Sequence, residues 1–306
     1  MKIGIPRALL FYKNEKLWTK FFDELSIDYI VSPETNKEII ENGSKYAVDE
    51  TCLPIKIFLG HIDYLKDKCD YIFIPRIEFE QHSETCLNFR AQYDLVKNTF
   101  RDYNLKILFY NDAGHKINKE MKAFKKLCKF LKIKKSLGKQ AYKIAKQTQL
   151  YYEFFRTENQ EKVINTTTKT KVLVLAHAYN VGDQYVGSPI LKSLQKLNVE
   201  PIIAEFLDTK KCIKASYSVS KTLPWSYNRQ LLGALELYKD KVDGIILITT
   251  YPCGPDSMAN EMIIRHYKDK PILSLTLDAQ DATAGIETRL ESFVDILNFK
   301  RCNKNE

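Results

Sequence analysis

Short runs that are apolar almost from end to end recur along this chain, each set between segments of helical periodicity. The clearest is Gly244-Ile245-Ile246-Leu247-Ile248-Thr249. A strand with one wet face alternates apolar and polar residues, so an uninterrupted run of this length belongs to a strand covered on both faces. Similar runs stand at Lys2–Arg7, Tyr29–Ser32, Tyr71–Pro75 and Lys106–Tyr110, and again at Lys171–Ala176, Pro201–Phe206 and Ile272–Leu277. Helical spacing fills the intervals: Phe11–Leu25, then Asn36–Tyr46 with Thr35 as its N-cap, then a helix with Pro54 in its first turn that ends near Leu65, then Leu87–Tyr103. Later come Val186–Leu197, Asn228–Tyr238, Asp256–Tyr267 and Ala282–Leu297. Strand and helix in alternation predict parallel sheets with helices on both faces.

The alternation is broken once. Lys116–Glu153 is Lys-rich and helical, with Phe124, Leu127, Cys128 and Leu131 on one side, and Asn159–Thr170 is polar and reads as a linker. The chain is therefore predicted to be α/β, with two doubly wound, Rossmann-like lobes facing a cleft. Residues 1–115 form the first lobe, 116–170 a basic helical segment and linker, and 171–306 the second. A length of 306 residues allows this. The two lobes look alike in plan, although no short-period repeat is present. The net charge of +9 is concentrated: Arg101–Lys171 holds 18 Lys and Arg against 6 Asp and Glu. Such a segment is a solvated helical face or meets an acidic partner, and nucleic acid is the remoter reading. No apolar stretch reaches the roughly 18 residues of a membrane span, and no secretory h-region follows Met1, so a cytoplasmic location is expected.

Seven cysteines, an odd number spread along the chain, do not make a disulfide framework. Three of them each stand just before a helix: Cys52-Leu53-Pro54, Cys86-Leu87, and Cys253-Gly254-Pro255. A helix N-terminus presents unpaired N–H groups and partial positive charge, which favours thiolate, the form that binds metal or attacks. It also suits an anionic iron–sulfur cluster, whose sulfides accept N–H bonds. Spacing alone leaves open whether these are ligands or buried core cysteines. No Cys-x-x-Cys is present, which excludes zinc ribbons and ferredoxin runs. Cys69, Cys128, Cys212 and Cys302 read as structural or incidental.

Gly4-Ile5-Pro6-Arg7-Ala8-Leu9, Glu50-Thr51-Cys52-Leu53-Pro54-Ile55-Lys56 and Gly60-His61 resemble the opening of the acyl-CoA dehydratase activase-related proteins, relatives of the 2-hydroxyacyl-CoA dehydratase subunits. Pro252-Cys253-Gly254-Pro255-Asp256-Ser257, Leu275-Thr276-Leu277-Asp278 and the stretch Gly285–Phe293 continue the resemblance to about residue 297. The resemblance implies a 4Fe-4S cluster held between the lobes by Cys52, Cys86 and Cys253, with one iron left open. It further implies a redox component or low-potential electron carrier fed by an ATP-dependent activator protein, in an anaerobic setting. Two other readings stand beside it: a dehydratase subunit that removes water from a 2-hydroxyacyl-CoA, alone or with a related subunit, and a metal-free two-lobe module that binds a small ligand. The chain has neither Gly-x-x-x-x-Gly-Lys-Ser/Thr nor Gly-x-Gly-x-x-Gly, so ATP binding by either motif is not expected.

Other residues follow strand ends, where ligands bind in open α/β sheets. Arg7 and Arg76 both follow Ile-Pro and are expected to hold a phosphate or carboxylate, or to pair with Glu50 or Glu78. His82 precedes Cys86, and His177, Tyr179 and Asp183 follow the first strand of the second lobe, as possible cleft-lining residues. His61 is expected on a helix, packed or hydrogen-bonded rather than catalytic. Asp256 and Ser257 are expected to cap theirs, and Glu78 and Glu80 are weaker acid/base candidates.

Overall fold

The eight apolar runs form two parallel sheets of four strands each. The computed structural model describes residues 1–80, 83–112, 119–279 and 283–302. The chain divides into two compact units, Met1–Phe154 and Phe155–Glu306.

The first unit runs β1 (Lys2–Ile5), α1 (Phe11–Glu24), β2 (Asp28–Val31), α2 (Lys37–Tyr46), α3 (Leu53–Leu65) and β3 (Tyr71–Ile77). A small antiparallel hairpin follows, β4 (Phe79–Glu80) with β5 (Ser83–Glu84), then α4 (Leu87–Arg90), α5 (Gln92–Thr99), β6 (Ile107–Asp112) and α6 (Lys119–Phe130). The strand order is β2-β1-β3-β6. β1 pairs with β3 only at Tyr71 and Ile72, so Pro75, which lacks an N–H, lies beyond the reach of β1. On one face Trp18 of α1 packs 5.1 Å from Phe73, and Phe124 of α6 packs 4.4 Å from Phe21 and 5.1 Å from Tyr110. On the other, Gly4 of β1 lets Leu65 of α3 approach.

The 32-residue helix α7 (Lys135–Thr166) contains the division between units. The polar stretch expected to be a linker is thus helical to Thr166. Its side chains explain why: Thr157 Oγ1 donates to the Phe206 carbonyl at 2.8 Å, Gln160 Oε1 accepts from Ile203 N at 2.6 Å, and Ile164 is buried. The helix docks by hydrogen bonds that apolar periodicity does not register.

The second unit runs β7 (Thr170–Leu175), α8 (Ala178–Val181), α9 (Ser188–Lys196), β8 (Val199–Ile203), α10 (Thr209–Val219), α11 (Ser226–Tyr238), β9 (Gly244–Thr250), α12 (Gly254–His266), β10 (Ile272–Leu277) and α13 (Thr283–Cys302). Its order is β8-β7-β9-β10. Leu173, Leu175, Ile245 and Leu247 bury one face against Leu231, Leu232, Leu235 and Ile263, while Gly244 meets Phe293 and Leu297 of α13 on the other. Among the described residues no helix is long and apolar enough to cross a membrane.

Candidate functional site

In the first unit, Cys52 and Cys86 are the N-cap residues of α3 and α4, both with extended backbone (ψ 146° and 147°). Neither helix has an acidic side chain in its first turn to offset the partial positive charge of its N-terminus. Asn88, two residues after Cys86, donates its Nδ2 to Cys52 Sγ at 3.5 Å. The fold thus brings the first turn behind one cysteine onto the thiol of the other. The frame around Cys86 is rigidly bonded. Thr85 Oγ1 donates to the Ile77 carbonyl at 2.6 Å, and Arg90 reaches Glu84 at 3.1 Å and Glu78 at 3.3 Å. Both cysteines are half-buried.

The other expected residues of this unit divide. Arg7 Nε donates to the Ser32 carbonyl at 3.1 Å, and its guanidinium lies 5.5 Å from the Phe11 ring centre, so it braces the β1–α1 turn. Arg76 lies 3.7 Å from Glu78, one of the two arrangements expected of it. Glu80 is held by Lys13 at 3.0 Å. His82 lies outside the described residues. His61 is fully buried on α3, and its Nε2 stands 3.1 Å from Thr35 Oγ1. Thr35 is therefore not the cap of α2. Asn36 is, accepting from Ile39 N at 3.0 Å. Burial, with the charge of Arg7 behind it, pushes the His61 pKa down to about 3 and keeps the ring neutral.

In the second unit Cys253 is the N-cap of α12, with Pro255 in the first turn, and its N–H donates to the Thr250 carbonyl at 2.8 Å. Asp256 does not cap this helix, contrary to expectation. It is buried in a network, where His177 Nε2 donates to Oδ1 at 2.6 Å, Asn228 Nδ2 donates to Oδ1 at 2.8 Å, and Thr249 Oγ1 donates to Oδ2 at 3.0 Å. Burial alone would raise its pKa. The charge of His177 and these three hydrogen bonds overcome that and hold the carboxyl below its usual range. Tyr179 stacks on His177 at 5.1 Å between ring centres. Asp183 instead closes the turn ahead of α9, accepting from Tyr185 N at 2.8 Å and Val186 N at 3.1 Å. Ser257 Oγ donates to the Cys253 carbonyl at 2.7 Å. Sequence reasoning did not single out Asn228. Asp256 is joined to Asn228 across 28 residues and to His177 across 79, and no local spacing signals such a network.

The remaining cysteines differ in kind. Burial raises the pKa of Cys69, whose thiol donates to the Leu65 carbonyl at 3.3 Å, and of Cys128, and pushes that of Cys212 up to about 12. Cys128 and Cys212 are buried and Cys69 half-buried, and thiols so held are poorly reactive, which fits packing. Cys302 is exposed at the end of α13. Among the described residues no three His, Cys, Asp or Glu side chains stand together as a metal-binding group. The donor chemistry of Cys52 and Cys86 nonetheless fits a thiophilic metal centre: sulfur ligands at helix N-caps, with an amide donor on the sulfur.

No curated protein matches the chain. Among solved structures, one described as the crystal structure of ZnuA aligns with 97% of this chain and 98% of its own, at 10% identity and a TM-score of 0.31. Residues 2–207 match the family described as "CoA enzyme activase uncharacterised domain (DUF2229)".

Proposed function

The chain belongs to that activase family, which is related to CoA dehydratase systems, and on this premise we propose that it is their iron–sulfur redox component. In this reading thiolates of Cys52, Cys86 and Cys253 hold a 4Fe-4S cluster. The observation that carries it is the Asn88–Cys52 contact, which ties two helix-opening cysteines into one locality. A 4Fe-4S cluster supplies one-electron transfer at a potential tuned by hydrogen bonds to sulfur. The chain's own residues do the rest. The Asn88 amide donates to the Cys52 sulfur, a hydrogen bond of the kind that tunes a cluster. Thr85, Glu84 and Arg90 hold Cys86 in place. The partner is an ATP-dependent activator protein or a related dehydratase subunit.

The test is iron and acid-labile sulfide on anaerobically purified protein, with a visible spectrum. About four of each per chain are expected, falling sharply in Cys52→Ser, Cys86→Ser and Cys253→Ser. Asn88→Ala is expected to retain the iron and move the reduction potential to a more negative value, because a donor to sulfur is lost. A folded, colourless protein without iron or sulfide sinks the reading.

A further inference from the structure

α6 and the start of α7 line an open cavity of about 310 Å³ within the first unit. That is at the lower end of the roughly 300–1,000 Å³ spanned by small-molecule sites. The lining follows helical spacing on both helices. Met121, Phe124 and Cys128 come from α6, Gly138 and Tyr142 from α7, and Ile133 from the turn between them. These make an apolar floor. Gly138 is part of what keeps the helices close there, since a methyl group on it would lie 2.3 Å from Cys128 Sγ.

The rim has the opposite character. Lys125 and Lys129 of α6 and Lys135 and Lys139 of α7 line the same cavity. All four are exposed, and among the described residues none has a carboxylate within ion-pair distance. The nearby acid, Glu120, is already taken, accepting from Tyr142 at 2.7 Å and Lys146 at 2.9 Å. α7 also carries no acidic residue in its first turn, so its partial positive charge adds to that of Lys135 instead of being offset. Lysine stems can cover an apolar floor by themselves. Four like charges gathered over it without counter-charge are a different matter, because each raises the cost of the others.

We infer that this cavity binds an amphipathic organic anion, one with a carboxylate or phosphate head and a hydrocarbon chain. The chain lies on Phe124, Ile133 and Met121, and the head meets the lysines of the rim. None of Cys52, Cys86 and Cys253 lines the cavity, and the inference does not depend on the iron–sulfur reading.

The test uses the full chain and calorimetric titration, with decanoate, decyl phosphate, decanol and inorganic phosphate as probes, all below micelle-forming concentrations. Decanoate and decyl phosphate are expected to bind saturably, one per chain. Decanol is expected to bind roughly tenfold more weakly, and inorganic phosphate more weakly still. The triple variant Lys129→Gln, Lys135→Gln, Lys139→Gln changes only exposed side chains. It should weaken decanoate about tenfold and leave decanol unchanged. Met121→Trp, which fills space over the apolar floor, should weaken both. Equal affinity for decanol and decanoate, or an unchanged affinity in the triple variant, overturns the inference. So does binding of several anions per chain. Attachment to vesicles rich in phosphatidylglycerol without binding of monomeric decanoate also overturns it, and assigns the lysines to a lipid surface.

Discussion

His61 shows at the scale of one residue what burial costs a titratable group. Its ring has a hydroxyl partner in Thr35 and no access to water, and its pKa is pushed down to about 3. The unfolded chain titrates near the ordinary value of about 6.5. Between these limits the unfolded state takes up a proton that the folded state refuses. Stability is therefore fully present above about pH 6.5 and is lost as pH falls, at up to about 1.4 kcal/mol per unit. Lowering the pH from about 7 to about 5 should cost the protein about 2 kcal/mol through this group alone. His61→Gln should lose about 2 kcal/mol less over that interval, read from urea unfolding followed by Trp18 fluorescence with Trp225→Phe in both proteins. An equal loss in both proteins would show that His61 is protonated in the folded state.

Among the elements, glycines set how closely helices approach. A methyl group on Gly60 of α3 would lie 1.9 Å from the Ile39 carbonyl oxygen of α2, and one on Gly43 of α2 would lie 1.8 Å from the Lys56 carbonyl oxygen of α3. Alanine at a helix interior ordinarily gains about 1 kcal/mol over glycine. Here it must push two backbones apart, so Gly60→Ala should destabilise by about 1–3 kcal/mol. Gly285 of α13 is exposed, and a methyl group there meets nothing within 4 Å. Gly285→Ala should stabilise by up to about 1 kcal/mol, so denaturation midpoints of the two variants should move in opposite directions. The inner strands β3, β7 and β9 were legible in the sequence because a strand buried on both faces writes an unbroken apolar run. α10 was not. It buries only Cys212, Ile213 and Ser216, and polar residues such as Ser216 carry no apolar period. The continuation of α7 to Thr166 was hidden for a related reason, since Thr157 and Gln160 dock it by hydrogen bonds.

For the whole molecule, the two units share one plan. Numbered within its own four-stranded sheet, each has its second strand at an edge, then the first, third and fourth. In each, a 13-residue helix leads into the third strand, α3 in the first and α11 in the second. Each of these helices has glycine at its eighth position, Gly60 and Gly233, packed on a carbonyl oxygen of the helix before it. The likeness in plan was legible. The strand order was not, because pairing joins segments far apart in the chain and leaves no local period. The plan also puts Cys86 and Cys253 in corresponding places, each opening the helix after its third strand, while Cys52 corresponds to Trp225. Helix-opening cysteines were therefore readable one at a time, and their correspondence only from the fold. Ile62 and Leu235 likewise occupy the tenth position of α3 and α11, and both are completely buried. Each unit holds one of the two tryptophans: Trp18 lies against Phe73 in the first, and Trp225 packs on the core of the second. Single-tryptophan proteins, Trp225→Phe and Trp18→Phe, therefore report on one core each. Ile62→Ala should destabilise the unit read by Trp18, and Leu235→Ala the unit read by Trp225, each by about 2–5 kcal/mol for the lost methylenes and the cavity left behind. Equal costs would mean that corresponding positions carry corresponding packing. A cost near zero at either would mean that this core position is relaxed around its side chain, and that the shared plan stops at the backbone.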